Sequence, residues 1–582
     1  MNASNARITH SVDICIIGGG IAGLCAAVAA ARHGAKVLLM QDRPMLGGNA
    51  SSEIRMWVRG APGVENRETG ILQELELENI YRNPTMNYSI WDSVLYQMAA
   101  QEPNIELLLN CSCLACSMAG EGHIASVGGW QLNTYQFHTV EASMFIDCSG
   151  DSILAPLSGA AYRVGREGKD EFGEYAAPEK PDRKTMGSSV LIQARETDRP
   201  SIFIPPEWAY TFPDDESMYL KNHDVRATNF WWIEVGGEMD TINDAQQINY
   251  ELLKIAYGVW DHLKNQGDHG MENWELEWIG FLPGKRESRR YEGEYMLTQQ
   301  DLEEGHSFGD AVAFGGWTMD NHNPKGFRHI GYSSTHTKPA VPYQIPFRCL
   351  YSRNVDNLLF AGRNISASHM AMSSTRVMAT CALMGQAAGT GAAMAVRHGC
   401  VPADITRAYI RELQAALMED GCYIPGLTRQ VPDGAELSLC PREKQILQNG
   451  WERPHGDEVN FVALRPGSSL ELELKKPGGM LRLALDPDFS RESISSVRKS
   501  QVFAMRSHIY LDAEPLKMPK NLLKSCRVTE ILADGTEKIH VIENNRLPRI
   551  FRKLDSAAVK VILSELQGWG GQDICIFACD VR

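Results

Sequence analysis

The sequence predicts an α/β fold: a discontinuous Rossmann-like nucleotide-binding domain, an α+β domain inserted into it, and a β-sandwich-like domain at the end. Three observations carry this. A β-branched run, Val12 to Ile17, passes through Gly18-Gly19-Gly20 into a small-residue helix, Ile21 to His33. A strand and a small-residue helix of the same character return at 357–390. After residue 456 the chain changes to short runs of alternating apolar and polar residues, the two-residue period of half-buried strands. The expected bounds are 1–160 and 341–418 for the two parts of the nucleotide-binding domain, 161–340 for the insert, 419–455 for a linker and 456–582 for the β domain.

Composition narrows the partners. Lys and Arg number 57 against 72 Asp and Glu, and the net charge of -15 repels phosphate backbones and anionic membranes. No nucleic-acid role is expected. An apolar content of 43% with 22% charged residues describes a globular chain, not a disordered one. The 14 Cys are too sparse for a disulfide scaffold and read as reduced thiols, so the expected compartment is the cytoplasm. Ile14 to Ala31 carries no charge and is long enough to raise the question of a membrane span. The glycines near its centre and Asp13 before it argue for strand, turn and helix instead, with no membrane span and no signal.

The first element is a dinucleotide fingerprint, Gly18-Gly19-Gly20-Ile21-Ala22-Gly23. Gly18 permits the tight turn, Gly20 lets backbone approach a pyrophosphate, and Gly23 lets the helix pack closely on the strand. The helix N-terminus from Ile21 and Ala22 then offers free N–H groups and a partial positive charge to phosphates. A second strand, Lys36 to Met40, ends at Gln41-Asp42-Arg43, where an acidic side chain usually meets the adenosine ribose. Gln41 and Asp42 both stand as candidates for that contact, with Arg43 beside them.

The continuation, Leu46-Gly47-Gly48-Asn49-Ala50-Ser51-Ser52-Glu53-Ile54-Arg55, separates flavin from nicotinamide. Here the chain resembles the glutathione-reductase-type FAD proteins, and more closely the FAD-dependent oxidoreductases related to fumarate reductase flavoproteins. The resemblance implies that Gly47, Gly48, Asn49, Ser51 and Ser52 reach the pyrophosphate and flavin edge. It extends to the apolar strand Met144 to Cys148 with Gly150-Asp151 at its end. The same holds for the closing set, Asn357 to Asn364 with Gly362 and Arg363, then Arg376-Val377-Met378 and the helix through Gly385 and Gly389. That helix's N-terminal turn would face the flavin pyrimidine ring and favour the anionic reduced form.

The insert gathers tryptophans: Trp208, Trp231, Trp232, Trp260, Trp274, Trp278 and Trp317. Apolar residues at Ile248, Leu252, Ile255 and Val259 predict an amphipathic helix from Asp244 to Asn265. Lys285-Arg286-Glu287-Ser288-Arg289-Arg290 reads as a strand with Arg286 and Arg290 on one face, a pair suited to a carboxylate, a phosphate or a reduced flavin. The segment resembles the family's Arg-Glu-Ser-Arg-Arg stretch near the active site. His322 and His369 are the candidate proton acceptors, His369 because its neighbours belong to the flavin site. Cys111, Cys113 and Cys116 have no zinc-spaced partners, so no metal site is expected; alternation on a strand explains them, and Cys113 is kept as a cofactor contact.

Past Met418, the runs Leu470 to Leu474, Leu481 to Leu485, Val559 to Leu563 and Ile574 to Phe577 predict an antiparallel sandwich. It is similar to galactose-binding-like modules, with a structural or dimerising role as the plainer alternative. Together these readings lead to an FAD-dependent dehydrogenase that takes hydride from a hydroxyl-bearing carbon of a sugar or sugar acid. Two alternatives stand beside it: reduction of a C=C bond next to a carboxylate, with an arginine as proton donor, and a non-catalytic flavin- or carbohydrate-binding protein. The expected partners are a small-molecule substrate, an electron acceptor of unspecified kind, and a second copy of the chain.

Overall fold

The computed structural model describes residues 7–63, 66–225, 228–266, 269–455, 460–489, 505 and 507–582. They fall into two compact units. The first holds residues 1–61, 87–413 and 503–514; the second holds 62–86, 414–502 and 515–582. The residues at 1 and 456 that open two of the expected domains lie outside the described residues.

The first unit is built on a seven-stranded sheet. Strand β1 (Arg7–Ile17) runs parallel to β2 (Val37–Met40) on one side and to β6 (Gln136–Asp147) on the other, and β3 (Ile105–Leu108) extends the parallel set beyond β2. β4 (Cys111–Gly120) and β5 (His123–Gln131) close the far edge as an antiparallel pair, β5 meeting the first half of β6. The second half of β6 pairs in parallel with the returning strand Leu358–Phe360. The late segment thus completes the sheet begun by the first residues, as a domain split in sequence requires.

Helix α1 (Ile21–Arg32) is buried from Ile21 through Ala31, because the sheet covers one side and the helix Met378–His398 the other. The two helices meet backbone to backbone. A Cβ added at Gly385 would lie 2.1 Å from the Ala22 carbonyl oxygen, and one at Gly389 would lie 2.1 Å from that of Ala26. The small-residue spacing seen in the sequence is this contact. Among the described residues no helix is long and apolar enough to cross a membrane.

The insert's core forms around the amphipathic helix Ala245–Asn265, with Trp232, Trp260 and Trp274 buried in it. Its short strands belong to separate small sheets. Gly284–Lys285 pairs with Ser188–Ser189, whereas Arg289–Tyr291 pairs with Tyr162–Val164. The expected continuous strand through Arg286 and Arg290 is therefore broken at 286–288. A late segment also returns to this unit: the backbone N–H of Ala194 donates to Nδ1 of His508 at 2.9 Å, and Nε2–H of His508 donates to the Thr228 carbonyl at 2.8 Å.

The second unit carries two antiparallel sheets, one of five strands and one of four. Leu470, Leu472, Val528 and Leu563 from one sheet share an apolar core with Leu481, Leu483 and Ile576 from the other. The four predicted runs all fall on these strands. The helix Ile71–Arg82, expected in the nucleotide-binding part, belongs to this unit and adds Leu77 to its core.

Candidate active site

The site begins with two glycine loops at the carboxyl ends of β1 and β2. The Gly18 N–H donates to the Met40 carbonyl at 2.8 Å, and the Gly47 N–H donates to the Gly19 carbonyl at 2.8 Å, so the loops lie against each other. Gly47 has φ +103°, which only glycine adopts without strain. A Cβ at Gly23 would fall 1.8 Å from the Gly18 carbonyl oxygen, so Gly23 packs the helix under the loop and does not face the cavity. Gly20 caps α1 without any side-chain hydrogen bond, which leaves the first N–H groups of the helix open. Gln41 is buried and bonded at both ends of its amide: Gly19 N–H donates to its Oε1 at 2.7 Å, and its Nε2 donates to the Met45 carbonyl at 3.1 Å. It holds the glycine turn in place.

These loops floor a cavity of about 670 Å³, within the range of roughly 300–1,000 Å³ that small-molecule sites occupy. Its walls include Gly18, Gly20, Ile21, Ala22, Gln41, Asp42, Arg43, Gly47, Gly48, Asn49, Cys113, Gly150, Asp151, Gly362, Arg363, Arg376, Val377 and Met378. Burial pushes the Cys113 thiol up to about 12, so it lines the wall as a neutral group. Ser51 and Ser52 do not reach the cavity. The Ser51 hydroxyl donates to the Gly48 carbonyl at 2.8 Å, and the Ser52 N–H donates to Asp92 at 3.0 Å, so both shape the turn beneath the wall.

Asp151 ties the two halves of the domain together. Burial alone would raise its carboxyl, but the Arg363 and Lys285 charges outweigh that and hold it at about 2. Arg363 donates to it at 2.8 Å, Lys285 at 2.6 Å and the Ser288 hydroxyl at 2.8 Å. The Nε atoms of Arg363 and Arg376 are buried without hydrogen-bond partners, although both residues line the cavity. Open helix N–H groups and two orphaned guanidinium nitrogens form the donor set that a pyrophosphate and an electron-rich ring require. The site fits a dinucleotide cofactor on that ground.

One wall comes from the insert. His322 lies between two carboxylates, with Nδ1 2.7 Å from Glu234 and Nε2 3.2 Å from Asp320. Each ring nitrogen of His322 thus faces a carboxylate oxygen. Burial would raise the Asp320 carboxyl; the charges of His322 and Arg376 prevail and hold it far below the usual carboxylate range. Arg286 donates to the Ser189 hydroxyl at 2.7 Å and the Trp231 carbonyl at 3.0 Å, and its guanidinium lies 3.4 Å from Glu234. Burial lowers its pKa.

The other two sequence candidates lie elsewhere. Arg290 donates to the Ala367 carbonyl at 2.7 Å and pairs with Glu167 at 3.0 Å, behind the wall. The break at 286–288 separates it from Arg286. Both ring nitrogens of His369 are spent, Nδ1 on Glu287 and Nε2 on the Asn321 amide oxygen, each at 3.0 Å. It opens the short helix His369–Thr375 and does not line the cavity. His322 is thus the histidine that meets the cavity.

Four further wall residues escaped the sequence reading. Trp57 and Arg59 follow the second glycine loop, and the Arg59 guanidinium stacks 4.9 Å from the Trp57 ring and 5.7 Å from Trp317. Their position just after a cofactor loop was the available signal. Lys285 carried a basic signal that the Arg pair obscured. Asn229 lines the cavity with its amide nitrogen and oxygen both buried and without partners. Nothing in the sequence marks it except the neighbouring Trp231.

Over residues 13–417 the chain matches the family described as FAD dependent oxidoreductase. No curated protein sequence matches it. Among solved structures, it is similar to a geranylgeranyl bacteriochlorophyll reductase-like protein from Thermoplasma acidophilum, at 12% identity and a TM-score of 0.32, covering 71% of this chain and 86% of that one. An anhydrotetracycline hydroxylase from Streptomyces rimosus aligns at 12% identity and a TM-score of 0.30, covering 70% and 69%. The Sdh1 complex of Mycobacterium smegmatis aligns at 13% identity and a TM-score of 0.25, covering 70% and 76%.

Proposed function

The chain belongs to the FAD-dependent oxidoreductases, and from that premise we propose that it dehydrogenates a hydroxyl-bearing carbon of a small anionic substrate, a sugar acid or related hydroxy acid. FAD, when bound, supplies the two-electron acceptor. The observation that carries the reading is the insert-side wall, where His322, Arg59, Arg286, Arg376 and the unpartnered Asn229 amide line one cavity. The guanidinium groups suit a carboxylate, and the Asn229 amide offers a donor and an acceptor to hydroxyl groups. Glu234, buried and 2.7 Å from Nδ1, fixes the ring of His322 so that Nε2 meets the cavity side. In its neutral form His322 takes the hydroxyl proton at Nε2, and Asp320, 3.2 Å from that nitrogen, holds the protonated ring. Trp231 and Trp317 line the same space, and an indole face suits the apolar face of a sugar ring.

The test is anaerobic mixing of the FAD-loaded protein with sugars, sugar acids and hydroxy acids. Bleaching of the flavin absorbance by acids and not by the matching neutral sugars is the expected result; no bleaching by any member would reject the proposal. A second reading rests on Arg286, whose lowered pKa and place on the wall fit proton donation during reduction of a C=C bond beside a carboxylate. Reoxidation of the dithionite-reduced protein by unsaturated acids alone would favour that reading.

A further inference from the structure

Away from the flavin cavity, the insert brings together Asp215, His223, His262 and His269, and we infer that they form a Zn²⁺ site. One ligand atom from each lies within 4.8 Å of all the others. Nε2 of His262 is 3.1 Å from Nε2 of His269 and 3.4 Å from Oδ1 of Asp215, and Nδ1 of His223 is 3.7 Å from the same oxygen. Ligands at about 2.0–2.1 Å on a tetrahedral ion stand roughly 3.3 Å apart, so these separations already approach those of a bound ion.

Three details point to a ligand and away from a chance cluster. The His262 Nδ1–H donates to the Phe212 carbonyl at 2.7 Å, which fixes the tautomer and turns the Nε2 lone pair toward His269 and Asp215. A ring N–H held by a backbone carbonyl is the usual support of a metal-binding histidine. Two imidazole nitrogens 3.1 Å apart can share one proton at most, and a cation between them satisfies both. Nδ1 of His223 is the nitrogen near the Asp215 carboxylate, at 3.7 Å, and the buried Nε2 has no hydrogen-bond partner among the described residues, so the ring is tied to no other group. Three imidazoles and one carboxylate, with no thiolate, make a borderline donor set that suits Zn²⁺ in a four-coordinate site.

The ion would clip three stretches that are separate in sequence: the loop carrying Asp215 and His223, the end of the helix Ala245–Asn265, and His269 beyond it. Asn229 and Trp231 on the cavity wall follow His223 closely in sequence, so the clip would steady one side of the site whatever the substrate is. Sequence spacing hid the cluster because its members lie in separate elements.

The experiment uses the full-length, FAD-loaded protein without a polyhistidine tag, treated with EDTA and then titrated with Zn²⁺. One equivalent should bind, raise the thermal unfolding midpoint, and be replaced by Co²⁺ with the visible d–d absorption of a tetrahedral ion. His269→Gln should weaken Zn²⁺ at least about tenfold while keeping the flavin spectrum; His223→Gln should do the same. Absence of stoichiometric Zn²⁺ binding by the unaltered protein overturns the site, as does unaltered affinity in His269→Gln. If His223→Gln fails to fold, His269→Gln and the Co²⁺ spectrum still decide the matter. Binding with no rise in midpoint would overturn the clip.

Discussion

Replacing Gly385 by Ala tests whether close helix contact shapes the cofactor cavity. The new Cβ would start 2.1 Å from the Ala22 carbonyl oxygen, and ordinary contact begins near 3.4 Å. The helices must therefore part by a little over an ångström, because the obstacle is backbone and cannot rotate away. Overpacking of this kind costs about 1–3 kcal/mol. Ala22, Met378 and Cys381 from these two helices line the cavity, so the displacement enters the site itself. Bound FAD must then work against a displaced wall, and a further cost of the same order in the bound state lowers its affinity by about tenfold to a hundredfold. Gly389→Ala is the control, since its Cβ meets the Ala26 carbonyl at the same 2.1 Å while neither residue lines the cavity. Both variants should lose similar stability in urea unfolding of the apoprotein. In flavin titration, only Gly385→Ala should lose affinity. An unchanged unfolding midpoint and affinity for Gly385→Ala would refute the packing argument, and equal loss of FAD by both would refute its placement.

Three more predictions follow from the site and its supports. Asn229→Leu removes a buried amide that makes no hydrogen bond; it should leave stability equal or raise it by about 1 kcal/mol while raising KM, and a large loss of stability in denaturant would contradict the proposed ligand role. Glu234→Gln removes the charge that orients His322 and should lower kcat by about 10²–10⁴ with the flavin spectrum intact; wild-type kcat would dismiss His322 as the proton-exchanging group. Burial lowers the His508 imidazole to about 4, so between that value and the ordinary value of about 6.5 the unfolded chain binds the extra proton. Stability should be whole above about pH 6.5 and fall by up to about 3 kcal/mol as the pH drops toward 4. His508→Gln should flatten that slope in denaturation series, and a slope that persists would rule out His508 as its source.

What the sequence made legible was whatever depends on neighbours in the chain. Gly18 and Gly23 are marked by the spacing of the fingerprint, and Gly47 by the family resemblance. The small residues of the late helix revealed a close contact, though not that Ala22 and Ala26 receive it. Arg286 and Arg290 were misread as a pair because alternation assumes one strand, and the chain breaks at 286–288 to serve two sheets. Chain neighbours favour His369 over His322, whereas the carboxylates that engage the two rings, Glu287 and Glu234, come from other elements and carry no local signal. Asn229 carries no local mark at all: its importance lies in partners it lacks.

The return of His508 to the insert also has a consequence for synthesis. Its bond to Ala194 spans 314 residues, so at about 5–20 residues per second the ribosome needs on the order of 15–60 s to deliver the second partner. Throughout that interval the nascent insert exposes the backbone N–H of Ala194 and the carbonyl of Thr228 that His508 later binds. A chain that stopped short of residue 505 would keep every glycine loop of the cofactor site and still leave this seam of the insert open.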